Sequence, residues 1–311
     1  MTNFADSLVE QIKAKGTPCV IGLDPRIDEM PGFVLSRAMA AAPDARRRTA
    51  ISVFHDTVLE AISDLVPAVK LQLAFYEQYG LEGIAAFQDT VETARRKGLI
   101  VIADAKRSDI ASTAAAYANA YLGRSEAFGV SSRVFDVDCI TVNPFLGADS
   151  LRPFVDCCKQ FGKGIFVLVK TSNPGSTDFQ DRVLADTGTP LCERVAAMVH
   201  EYGSEAVGAC GMSSIGAVVG ATFPDEARRL RQLMPNAIIL VPGFGAQGGT
   251  AADAVKCFKA DGFGAVVNAS RSVTYSSISS TTSLEDFIGT VRSRTMLMIS
   301  EIRAALAERR D

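Results

Sequence analysis

A chain of 311 residues, 48% hydrophobic and 22% charged, can form one large core or two smaller ones and has the make-up of a soluble globular protein rather than a disordered one. A net charge of −3 and a pI near 5.6 argue against a general nucleic-acid binder, though not against a local basic pocket for one phosphate. No apolar run approaches membrane-spanning length, and two histidines, His55 and His200, without any CxxC spacing leave little from which to build a zinc or Ser-His-Asp site.

The first residues, MTNFADSLVEQIKAKGT, carry acidic side chains early and no apolar h-region, so an amphipathic helix is expected rather than a signal peptide. Seven cysteines, an odd number, with several inside apolar runs, read as reduced, buried thiols of a cytoplasmic protein. Eight short apolar runs carry Gly, Asp, Asn, Ser or Lys at or near their ends: 18–24, 68–73, 99–105, 139–145, 164–171, 206–211, 237–243 and 264–270. Helical patterning falls between them at 46–65, 84–97, 110–122, 184–202, 225–233 and 250–259. The runs are nearly continuously apolar, as strands buried on both faces are. Eight strands alternating with helices predict a (β/α)8 TIM barrel, a single domain over residues 1–311, with a doubly wound open sheet as the rival. A barrel would also collect polar residues at the strand ends, and Asp24, Lys70, Asp104, Lys106, Asn143 and Ser172 stand there. The connection 25–48 and the stretch after 270 read as decoration on the barrel.

Three groups carry chemistry. In VIADAKRSDIAST, residues 101–113, strand alternation points Asp104 and Lys106 the same way and Ala105 back. Asp109 follows at the threshold of an alanine-rich helix, with Thr113 on its face one turn on. An Asp-Lys pair is ordinarily a solvated turn feature of little worth. A barrel, however, would gather Asp24, Lys70, Asp104, Lys106 and Asp109 at one mouth. A lysine held between carboxylates stays cationic and gives its proton only to a very basic acceptor, such as a carbanion. The second group is PGFGAQGG, from Pro242 through Gln247 and Gly248, with VNASRSV and its Arg271 one strand later. Glycines admit an anion to the backbone, arginine binds it bidentately, and barrels bind phosphate after strands seven and eight. The third, TSNPGS at residues 171–176, offers Ser172 to a heterocycle edge but is by itself an ordinary turn signal.

These residues together resemble the orotidine 5'-monophosphate decarboxylase family, most of all its longer bacterial branch. The resemblance rests on GLDP at 22–25, Lys70, DAKRSD at 104–109, TSNPGS, PGFGAQGG and ASRSV, in family order over about residues 18–273. It implies decarboxylation of orotidine 5'-monophosphate to UMP with no metal and no organic cofactor. Asp104 and Lys106 would face the substrate carboxylate and C6, and Asp24 and Lys70 would hold ribose hydroxyls and complete the charge array. Ser172 would contact the pyrimidine, and Pro242, Gln247, Gly248 and Arg271 the phosphate. The resemblance further implies a homodimer in which Asp109, with Ile110 and Thr113, enters the partner's site, and no nucleic-acid or membrane partner. Two alternatives stand beside it: a metal-assisted sugar-phosphate decarboxylase or aldolase on the same fold, and a non-catalytic nucleotide-binding barrel.

Overall fold

The computed structural model describes residues 2–245 and 248–309. In chain order its strands are β1 (Cys19–Gly22), β2 (Ala68–Gln72), β3 (Ile100–Arg107), β4 (Ser125–Ala127), β5 (Val130–Ser132), β6 (Cys139–Val142), β7 (Gly164–Lys170), β8 (Ser213–Val219), β9 (Ala237–Val241) and β10 (Ala265–Ala269). β4 and β5 form an exposed hairpin apart from the others. The remaining eight are parallel, and β1 pairs with both β2 and β10, which closes the barrel. An open doubly wound sheet would have two edges, and this one has none.

The sixth barrel strand is displaced from its expected place. Residues 206–211 form a turn, with Gly208 N donating to Met212 O at 2.8 Å and Gly211 N to Gly208 O at 3.0 Å. The strand is instead Ser213–Val219, buried along its whole length. Its serines and Gly216 disguise it, yet the glycine is required: a Cβ there would lie 2.5 Å from Ile238 O and 2.7 Å from the Phe166 ring.

Period-two alternation sorts the strand residues into two layers. Val20, Ala68, Ile100, Ile102, Phe166 and Leu240 fill the barrel interior, while Ile21, Val69, Val101, Ala103 and Ala105 pack outward against the helices. The expected N-terminal helix, Phe4–Lys15, is capped by the Asn3 side chain and stopped by a left-handed Gly16. Its Phe4, Leu8 and Val9 join the interior layer, and Phe4 meets Phe166 edge-on at 6.1 Å. This helix therefore plugs the barrel at its N-terminal end, and the chemistry is left to the other end.

The two segments read as decoration are structural. Helix Leu284–Glu308 buries Phe287, Val291, Met298 and Ile302 and is fastened to helix Arg46–Ile62 and its C-terminal turn, where both Arg292 Nη atoms donate to Asp64 at 2.7 Å. It is the helix that follows β10 in the ring. The 25–48 connection contains helix Gly32–Ala40, whose Gly32 N donates to Ser280 O at 3.1 Å and whose Phe33 meets Phe287 at 5.8 Å. Each segment thus braces the other. Among the described residues no helix is long and apolar enough to cross a membrane.

Candidate active site

A cavity of about 600 Å³ opens at the C-terminal ends of the strands. On β2 the interior-facing Ala68 is followed two and four residues on by Lys70 and Gln72; on β3, Ile102 is followed by Asp104. The same alternation that fills the floor with hydrocarbon therefore raises charge above it. Lys70 Nζ donates to Asp104 Oδ2 at 2.7 Å and Lys106 Nζ to Asp104 Oδ1 at 2.6 Å. Gln72 Nε2 adds a donor to Oδ2 at 3.0 Å, and Thr141 Oγ1 one to Oδ1 at 3.0 Å. Asp104 thus accepts four hydrogen bonds while buried.

The electrostatics follow. Burial alone would raise the Asp104 carboxyl, but the ammonium groups of Lys70 and Lys106 outweigh it and hold the acid well below the usual carboxylate range. Burial would likewise lower the Lys70 ammonium, and Asp104 with Asp24 reverses that and raises it. Lys70 and Asp104 therefore face each other as an ionised pair. Removing Lys70 would leave Asp104 buried with one cation fewer, a loss of about 3–5 kcal/mol.

Alternation does not by itself bring Lys106 over Asp104. The β3–β6 register shifts between Ala103 and Arg107, and Lys106 takes a left-handed backbone, φ 49°. Its N–H donates to Thr141 Oγ1 at 2.9 Å, so one threonine holds both the lysine's backbone and the aspartate's carboxylate. A bulge of this kind re-aims a side chain beside a site, and here it leaves the Lys106 side chain 44% exposed at the cavity end of the row.

Of the residues expected from the sequence, Asp24, Lys70, Asp104, Lys106, Ser172, Pro242 and Arg271 all border the cavity. Asp24 Oδ1 is buried and accepts no hydrogen bond from a described residue, and neither does Asn268 Oδ1 in the same wall. Two buried acceptors of this kind suit a ligand with hydroxyl or N–H donors. Asp109, Ile110 and Thr113 do not border this cavity. Asp109 Oδ1 accepts from Ile110 N at 2.8 Å, and Ile110 is 62% exposed. Gly248 sits in the exposed turn beside the cavity with its N–H on Gly245 O at 2.9 Å, and Gln247 lies outside the described residues. Gln72, Thr141, Asn268, Gln180 and Arg26 were not singled out by the sequence. Gln72 carried a usable signal, since it shares a strand face with Lys70.

A parallel (β/α)8 barrel that sets a carboxylate between two ammonium groups at its strand ends, beside an arginine and a glycine-rich turn, is a barrel enzyme for a small anionic molecule. The chain belongs to the Orotidine 5'-phosphate decarboxylase / HUMPS family, whose sequence profile matches residues 49–286. It is 43% identical over 277 residues to the orotidine 5'-phosphate decarboxylase of Caldicellulosiruptor saccharolyticus, covering 88% of this chain and 90% of that protein. It is also 43% identical over 275 residues to that of Rhodopirellula baltica, with 88% and 89% covered. The structure of Leishmania donovani OMP decarboxylase superimposes with a TM-score of 0.73 at 30% identity over 98% of this chain and 99% of that one.

Proposed function

We propose that this chain decarboxylates orotidine 5'-monophosphate to UMP and CO2, the last step of de novo UMP synthesis, as one barrel domain working within a cytoplasmic homodimer. The observation that carries the reading is the Lys70–Asp104–Lys106 row at one end of a cavity that has Arg271 and a glycine-rich turn on its rim. The C6–carboxylate bond breaks with its electron pair left on C6, CO2 departs, and Lys106 Nζ delivers a proton to that carbon. Asp104 faces the substrate carboxylate. Their repulsion burdens the ground state and vanishes as the carboxylate becomes neutral CO2. Two like charges about 4 Å apart at an effective dielectric near 20 repel by about 4 kcal/mol, roughly a thousandfold in rate. Enzymatic accelerations begin near 10⁶-fold, so stabilisation of the developing carbanion by Lys106 has to supply the rest.

The partnerless Oδ1 of Asp24 suits a ribose hydroxyl, with Lys70 beside it, and Ser172 suits the pyrimidine edge. Arg271, with Pro242, Gln247 and Gly248, suits the phosphate. Asp109, Ile110 and Thr113 lie off their own cavity, which supports their service in the partner's site. In this scheme no metal or organic cofactor takes part.

The direct test is the loss of orotidine 5'-monophosphate absorbance on adding protein with EDTA present. Turnover unaffected by the chelator is expected. Turnover abolished by it would instead favour the metal-assisted sugar-phosphate chemistry on the same fold, and UMP binding without turnover would make the chain a nucleotide-binding barrel. Arg271→Ala is expected to raise KM by about 10- to 100-fold, the worth of a charge-assisted hydrogen bond, while kcat at saturation falls less than about tenfold. Initial rates over a substrate series check this, and an unchanged KM would remove Arg271 from the phosphate site.

A further inference from the structure

The end of β7 carries an ion pair that the chemistry above does not use. Lys170, the last residue of that strand, has no exposed surface, and a buried ammonium persists only when it is paired. Its Nζ donates to Asp181 Oδ1 at 2.5 Å and stands 4.2 Å from the centroid of the Phe223 ring. The β7–β8 register shifts between Leu168 and Lys170. Leu168 borders the cavity and Lys170 does not, so past the shift the ammonium serves the loop rather than the site.

What the pair encloses is the cavity wall around Ser172. Between Lys170 and Asp181 the chain contributes Thr171, Ser172, Asn173 and Gln180 to the cavity. Gln180 is joined to Thr171 twice, Thr171 N donating to Oε1 and Nε2 donating to Thr171 Oγ1, both at 2.9 Å. On the other side a Cβ at Gly220 would come within 2.8 Å of the Ser172 Cα, and Thr222 Oγ1 donates to Ser172 O at 3.2 Å. The wall is therefore backed by β8's end and fastened across its own base by a single charged bond.

We propose that Lys170 and Asp181 are positioning residues for recognition of the pyrimidine: their pair fixes residues 171–182 so that Ser172 and Gln180 present one rigid hydrogen-bonding edge to the base. The inference rests on the nucleotide reading given above. The phosphate corner, built from the ends of β9 and β10, is independent of this fastening. Losing the pair accordingly weakens binding of the base without touching binding of the anion.

The experiment compares the parent protein with Asp181→Asn and Asp181→Glu, measuring UMP and inorganic phosphate affinity by calorimetry, Tm, and the rate of tryptic cleavage after the exposed Arg182. Asp181→Asn is expected to bind UMP about tenfold more weakly or worse, to hold inorganic phosphate within about twofold, and to be cut faster at Arg182. Asp181→Glu, which keeps the charge, is expected to recover most of the UMP affinity. Parent-like UMP binding by Asp181→Asn overturns the proposal, and so does a parallel loss of UMP, phosphate and Tm, which would make the pair a support of the whole barrel. If the parent itself binds no UMP, the nucleotide reading fails. The cleavage rate still judges the fastening in that case, and an unchanged rate at Arg182 overturns it.

Discussion

Lys106→Ala is expected to lower kcat by about 10⁴-fold while UMP affinity changes by no more than about tenfold. All three members of the charge row border the cavity, but the Lys106 side chain is the most exposed, 44% against 6% for Lys70 and 11% for Asp104, so its amino group is the one best placed to meet a carbon on a ligand. Its removal leaves Asp104 with Lys70, Gln72 and Thr141 as donors, so the carboxylate stays satisfied and the fold is retained. Lys70→Ala is the contrasting variant, since it strips the buried partner and is expected to lower Tm as well as rate. Single-substrate kinetics, UMP calorimetry and thermal melts of both proteins separate chemistry from folding. A Lys106→Ala enzyme within tenfold of the parent kcat would dismiss Lys106 as the proton donor.

The second large effect is a gain. Lys106→Ala and Asp109→Ala homodimers are each expected to be nearly inactive, yet mixing them under subunit exchange should restore about a quarter of parent activity, because half of the dimers become hybrids and each hybrid holds one intact site. The reason lies in where β3 sends its residues. Asp104 and Lys106 turn into their own cavity, whereas three residues on Asp109 caps nothing in it and stands beside an exposed Ile110. Mass measurement verifies exchange, and no recovery in verified hybrids would place Asp109 in its own subunit's site.

Where strands are buried on both faces, their apolar runs announced them, and seven of the eight barrel strands lie where those runs fall. The exception, β8, contains Gly216, where its neighbours leave no room for a Cβ, and Ser213 and Ser214, whose hydroxyls donate to Gly203 O and Asn3 Oδ1, and small polar residues read as a turn. Helical patterning from 184 to 202 likewise overran a loop: the helix begins at Leu191, since residues 183–190 close a turn of their own, Val183 bridging to Pro190 and Leu184 N donating to Thr189 O. Charge in the site was legible, since Asp104, Lys106 and Lys70 each stand in or beside an apolar run. Its neutral donors were less so. Gln72 could be read only from the strand face it shares with Lys70, and Thr141, 37 residues from Asp104 in the chain, has nothing local to mark it as a partner. The left-handed Lys106 was invisible for the same reason: its conformation is imposed by a threonine on the next strand.

The N-terminal helix that plugs the barrel has a consequence for how the site answers a change of charge. Below Lys70 and Asp104 lie Ala68, Ile102, Phe166 and then Phe4 and Leu8, groups with almost no dipole to reorient. When negative charge builds on a substrate carbon, nothing on that side can relax to accommodate it, and no reorganisation is spent there. The response is confined to the upper side, where a single half-exposed ammonium is already oriented. A helix that touches no ligand thereby makes the barrel floor electrically stiff.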